Sequence, residues 1–255
     1  MTLTSKRPGV CRLHLGAELP LRNSHSVSSW AFSRAMGAGT GQFVNLHQNV
    51  ATLSNNQRRD YLLCEPCEQK IGRWESYASS LARQPDGSKP LFDMLEPAPM
   101  LDGMYRAPSL DVDALSRFGV SVFWRSSISA AFPNFELGKS DESSLREYLA
   151  GGATFPDNAR LTLAVIKAAD APVDQIVTSP TGRRADGYHH EHVFIVHGFH
   201  FLLSVGSKFP AGIDTMCFAR TGLMTLSDGH ALRDRILQLG ADADIKGTLK
   251  KHFSK

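Results

Sequence analysis

Two short pairs of soft metal ligands lie far apart in the chain, Cys11-Arg-Leu-His14 and Cys64-Glu-Pro-Cys67. An x2 spacing in a tight turn lets residues i and i+3 face one point. Together the pairs supply three thiolates and one imidazole, a closed tetrahedral set of the kind that holds structural zinc. Each thiol ionises as metal binds, so such a site couples metal to folding. The chain has four cysteines, and an even count would also suit two disulfides. The Cys64/Cys67 spacing and a reducing compartment argue for metal instead. Cys217, in Met216-Cys217-Phe218, reads as a small apolar core residue.

The elements that must position these ligands can be read around them. Cys11–Gly16 reads as a knuckle and Glu18–Arg22 as a short strand leading to Asn23-Ser24-His25. After Cys67 a helix is expected, because Ile71, Trp74, Ala78 and Leu81 recur at the helical period. Its other stripe holds Glu68, Gly72, Glu75 and Ser79, so two carboxylates share one face. A solvated face is the ordinary reading of such a pair. Glu68 stands apart because it directly follows a ligand cysteine.

Residues 9–80 resemble the HNH endonuclease family, whose fold is the treble-clef ββα-metal unit. More narrowly, they resemble bacterial proteins with Ser-His-Ile-Ile-Pro and Leu-Leu-Cys-x-x-Cys-Glu motifs. The matching residues are Cys11, His14, Ser24-His25, Leu62-Leu-Cys64, Cys67-Glu68 and Glu75, with a looser echo in Trp124-Arg125. The resemblance implies a catalytic set of His25, Glu68 and Glu75 beside the structural Zn2+ of Cys11, His14, Cys64 and Cys67. His25 would be the general base that activates water. Glu68, in the place of the family's helix Asn, would help hold a catalytic Mg2+ or Mn2+, with Glu75 as second candidate. Ser24 stands where the family has its metal-binding Asp, and Ser26 and Ser28 stand where it has Ile and Pro. A carboxylate at Glu68 would offset the charge lost at Ser24.

The rest of the 255 residues reads as a mixed α+β region. Five of thirteen prolines fall in 83–108, which suggests a linking segment between a zinc domain at 1–82 and an accessory domain at 109–255. Helices are expected over Asp111–Phe132, with Arg125 buried and paired, from Ser140 to Gly151-Gly152, and over His230–Leu239. Strands are expected over Leu161–Ala168 and Gln175–Thr178, with a hairpin of His192–His197 and Phe199–Val205 around Gly198. The tail from Lys246 reads as frayed. Asp186, His189, His190, Glu191, His192, His197 and His200 form a dense histidine patch without a specific ligand spacing, and an ordinary hairpin edge is its leading reading. Thr181-Gly-Arg183-Arg184 reads as a basic turn.

No run of the sequence is long and apolar enough to span a bilayer, and the first residues lack a secretory pattern, so a cytoplasmic location and no membrane partner are expected. Net charge is +3, compatible with nucleic acid but undemanding. The partners expected are DNA, or another nucleic acid, and a protein met through the accessory domain. The leading reading is a metal-dependent nuclease. The alternative keeps the zinc and drops the chemistry, leaving a nucleic-acid-binding or protein-interaction module.

Overall fold

The computed structural model describes residues 7–36, 43–47, 50–54, 57–167, 177–185, 189–227 and 244–245. The helix expected at 230–239, the tail from 246 and Asp186 lie outside them, as do parts of the strands expected at 161–168 and 175–178. The architecture is α+β, with helices set against antiparallel and mixed sheets.

The N-terminal part is built on a three-stranded antiparallel sheet of β1 (Arg7–Val10), β2 (Glu18–His25) and β5 (Arg59–Cys64), in the order β1-β2-β5. Strand β5 runs directly into α2 (Glu65–Leu81), the helix expected after Cys67. Ile71, Ala78 and Leu81 of its apolar stripe are buried. Helix α1 (Ser29–Met36) follows β2, in a Ser- and Ala-rich stretch with few large apolar residues to mark it. The asparagine-bearing stretch after it contains the hairpin β3 (Phe43–His47) and β4 (Val50–Ser54). A short strand β13 (Asp244–Ile245) pairs with β4 in parallel.

The larger sheet has seven strands in the order β6-β7-β12-β8-β11-β10-β9. They are β6 (Glu96–Pro97), β7 (Met104–Arg106), β8 (Ala159–Ile166), β9 (Thr181–Arg184), β10 (His189–Val196), β11 (Phe199–Gly206) and β12 (Met224–Ser227). All its pairings are antiparallel except β12 with β8. The proline-rich 83–108 stretch thus carries the edge strand β6, which holds Pro97, and its neighbour β7, along with the short helix α3 (Pro90–Asp93). Proline suits strands at an edge, where its missing N–H breaks no ladder. The expected hairpin closes through His197 and Gly198, at φ 41° and 90°. This is the left-handed pair that a two-residue turn between twisted strands demands.

Helix α4 (Val112–Ile128) joins the two sheets. Asp111 caps it by accepting from the Ala114 N–H at 2.9 Å. Phe118 meets Phe194 and Phe201 edge to face, and Phe123 meets Phe194 at 4.9 Å between ring centroids. On the small sheet's side α4 packs against α2. Buried side chains from Cys11 and Leu63, through Trp124, to Leu161 and Met224 form one continuous core. Helix α5 (Lys139–Ala150) stops at Gly151, which adopts φ 85°. A short helix, α6 (Phe218–Thr221), precedes β12.

Candidate metal centre and the His25 site

The knuckle forms because Leu15, at φ 51°, turns the chain back so that its N–H donates to Cys11 O at 2.9 Å. The Arg12 N–H donates to Leu62 O at 2.9 Å and ties the knuckle to β5. The other two ligands are placed by a helix start. Cys64 ends β5 as the N-cap of α2, and Cys67 lies in the first turn. The ligand atoms of Cys11, His14, Cys64 and Cys67 all lie within 4.8 Å of one another. His14 Nδ1 is 3.4 Å from Cys67 Sγ and 3.8 Å from Cys64 Sγ. A tetrahedron with zinc–ligand bonds of ~2.0–2.3 Å has edges of ~3.5–3.8 Å, so these separations match. The set can hold a metal ion such as zinc.

Gly16 is part of this construction. A Cβ there would come within 2.8 Å of His14 Cδ2, so any side chain would displace the imidazole. The electrostatics also favour a cation. Burial pushes the Cys11 thiol up, but the peptide N–H groups of Cys64, His14 and Leu13 more than offset it, and the net direction is down. Burial, then the neighbouring Cys11 sulfur, holds the Cys67 thiol well above the ordinary range. Without a metal the cluster carries little thiolate at Cys67, and a bound cation would reverse that.

On β2 the spacing of buried residues changes. Leu21 and Ser24 are both buried, three residues apart, where plain alternation would bury Leu21 and Asn23. The cause is a β-bulge: the register against β5 shifts between Arg22 and Asn23. The bulge turns Ser24 toward α2, where its hydroxyl donates to Glu68 Oε1 in a very short hydrogen bond. Burial pushes the Glu68 carboxyl up, against the pull of the Ser24 hydroxyl and the Arg125 guanidinium.

Glu75, two turns along the same face, pairs with Arg125 of α4 at 2.6 Å. That guanidinium, fully buried, also donates to His25 O at 2.7 Å and to Ser121 O at 3.2 Å. Ser79 completes the stripe by accepting from Arg34 of α1, through its hydroxyl at 2.9 Å and its carbonyl at 3.0 Å. The polar face of α2 is therefore an interior seam facing β2, α4 and α1, with each of Glu68, Glu75 and Ser79 assigned a partner.

His25 ends β2, half-buried. Its Nε2 is sealed from solvent and has no hydrogen-bond partner among the described residues, as are Ser26 Oγ, Ser28 Oγ and Gln57 Oε1. Burial, then the Arg59 guanidinium, pushes the imidazole down, against the Gln57 side chain and the Glu75 carboxylate. His25 is therefore held neutral at neutral pH, the form in which a base accepts a proton.

The structure brings Cys11, His14, Cys64 and Cys67 together and sets His25, Glu68 and Glu75 along one seam beside them. Arg125 is the residue of this seam whose contact could not be read from spacing. Its signal was a charge directly after the apolar run Val122-Phe123-Trp124, in what the structure makes the last turn of α4. The histidine patch is mainly packing. His192 lies among Phe123 and Phe135, at 6.5 and 5.3 Å between ring centroids, and His197 Nε2 donates to Ala31 O at 2.7 Å. Among the described residues no second group of three or more Cys, His, Asp or Glu is placed to hold a metal. Comparison of the chain with protein-family models, with curated proteins and with solved structures found no match.

Proposed function

We propose that this chain is a zinc-stabilised nuclease of HNH type, with a treble-clef unit formed by the knuckle, β2, β5 and α2. The observation that carries this reading is His25: a neutral imidazole beside the Gln57 side chain, with a buried Nε2 that meets no hydrogen-bond partner in geometry among the described residues, on the strand that faces the ligand-bearing helix. A buried polar atom left without a partner costs about 1–3 kcal/mol, and such costs concentrate where function needs them. In this reading zinc at Cys11, His14, Cys64 and Cys67 is a rigid platform. His25 takes the proton of the attacking water. Glu68 and the Ser24 hydroxyl supply hard oxygen atoms beside it, the donor type that suits a divalent cation binding phosphate. Arg125 fixes the strand end by holding His25 O, so the base is positioned from α4.

A second reading, a zinc-binding module that recognises nucleic acid without cutting it, is favoured by the partner assignments. Glu75 is committed to Arg125, Glu68 accepts from Ser24, and among the described residues no third carboxylate joins them in a group that could hold a metal. One experiment separates the two. Purified protein and His25→Ala are incubated with plasmid, single-stranded DNA and RNA in Mg2+, Mn2+ or EDTA. Divalent-dependent cleavage by the natural protein, absent in the variant, is the expected result. Binding with no cleavage under any condition would leave the second reading standing.

A further inference from the structure

An open pocket of about 440 Å³ lies where α5 ends. It is lined by Asp113 and Arg117 of α4, by Tyr148, by the Gly151–Phe155 turn and by Ala219 of α6. Its volume falls within the ~300–1,000 Å³ typical of small-ligand sites. None of these residues belongs to the zinc cluster or the His25 seam.

Its chemistry alternates cations with rings. The Lys70 ammonium lies 5.8 Å from the Trp74 ring centre, and the Arg117 guanidinium is 5.5 Å from that ring and 4.2 Å from Tyr148. Tyr148 meets Phe155 edge to face at 5.4 Å, and Arg220 stands 5.9 Å from Phe155. Part of this has a plain structural use. Lys70 donates to Ala150 O at 2.7 Å, and Arg117 Nη1 donates to Tyr148 O, so both cap α5.

Capping does not use all of the donors. Arg117 Nε is held by Asp113 at 2.6 Å, while Nη2 has no acceptor among the described residues. The Asp113 carboxylate is already engaged by Arg117 and by the Tyr148 hydroxyl at 3.1 Å. The peptide N–H groups of Ala153 and Thr154 likewise have no acceptor among the described residues, on an exposed turn of small side chains. The lining holds one cation, Arg117, against one anion, Asp113, and Arg220 nearby is paired with Asp157 at 3.0 Å, so it is the free N–H donors that suit a phosphate oxygen set. Walls of Tyr148 and Phe155 suit a flat ring.

We propose that this pocket binds the phosphate-and-base unit of a nucleotide, with the phosphate on Arg117 Nη2 and the 153–154 N–H groups and the base against Phe155. The unit can come from a free nucleotide or from one residue of a single strand. The pocket's binding does not depend on His25 cleaving anything.

The test uses full-length His25→Ala protein as purified, with no chelator and no added Mg2+ or Mn2+, so that cleavage plays no part. Titration calorimetry is run with adenosine monophosphate, with adenosine, with inorganic phosphate and with a single-stranded DNA oligomer. Gly152→Asp is the informative variant. A Cβ there meets nothing nearer than Glu147 O at 3.9 Å, so the substitution adds a carboxylate to the pocket without crowding the fold. Thr154→Glu is the second variant, should Gly152→Asp lower the melting temperature. Adenosine monophosphate is expected to bind more tightly than adenosine or phosphate alone, and either carboxylate to weaken it at least about tenfold. Gly152→Ala should bind as the parent does. An oligomer bound more tightly than the mononucleotide identifies a strand as the source, and the reverse order identifies a free nucleotide. No binding of any of the four ligands, or equal binding by the folded carboxylate variants, would overturn the proposal.

Discussion

Ser24 and Glu68 decide what His25 can be used for. Ser24 is buried and touches Glu68, so a carboxylate in its place would stand directly against another carboxylate. Two adjacent carboxylates repel without a cation and form a hard-oxygen pair with one. Ser24→Asp is therefore expected to lower the melting temperature in buffer without added divalent metal and to recover much of that loss in Mn2+. Thermal scans with and without metal check this, and a variant equally stable in both buffers would mean the pair does not reach a cation. The cysteine side of the centre has its own test. Cys64→Ser removes one of the tightly grouped ligands, and elemental analysis should show less than stoichiometric zinc, with a melting temperature several degrees lower.

Among the elements, α4 is the most constrained, because the sheet and α2 both close on it. Gly119 shows how closely. A Cβ at this position would lie 2.7 Å from Phe201 Cδ1, and the ring is held by its neighbours Phe118, Phe194 and Phe199. Gly119→Ala gains helix propensity but overpacks the seam, and the net expectation is a loss of about 1–3 kcal/mol in urea unfolding. Strand β10 contributes a pH response through His192. Burial, with a smaller push from His190, takes its imidazole from 6.5 down to about 4. Above pH 6.5 neither the folded nor the unfolded chain protonates it. As pH falls from there to about 4 the unfolded chain takes up a proton that the folded chain refuses, so stability declines by about 3 kcal/mol. Urea unfolding at pH 7.5 and pH 4.5 should show a smaller decline in His192→Leu, and an equal decline would place the titration elsewhere.

Across the whole molecule, the Glu75–Arg125–His25 link couples the part with the Cys/His cluster to α4, which packs on the large sheet. Removing one partner of a buried ion pair leaves the other charge stranded, at a cost of about 3–5 kcal/mol. Arg125→Met should therefore destabilise the whole chain strongly, and Arg125→Met with Glu75→Gln should recover part of the loss. Denaturation followed both by zinc release and by circular dichroism tests the coupling. Independent transitions in the natural protein would show that the link does not join the two parts.

That Cys11, His14, Cys64 and Cys67 converge into a set able to hold a metal was legible in the sequence, because a ligand pair at i and i+3 needs only a turn or a helix start to converge. Helix α2, helix α5 and the β10–β11 hairpin were legible for the same kind of reason: apolar period, glycine at the stop and glycine at the turn are local signals. The α+β class followed from those elements. What the chain alone left open was which partners meet across long separations. A bulge in β2, invisible in composition, sends Ser24 rather than Asn23 toward Glu68. A stripe of α2 that reads as solvated becomes a seam because α1, β2 and α4 supply Arg34, Ser24 and Arg125 to its polar groups. Those contacts join residues far apart in the chain, so no local pattern encodes them, and only the tertiary structure decided that the polar face of α2 is turned inward.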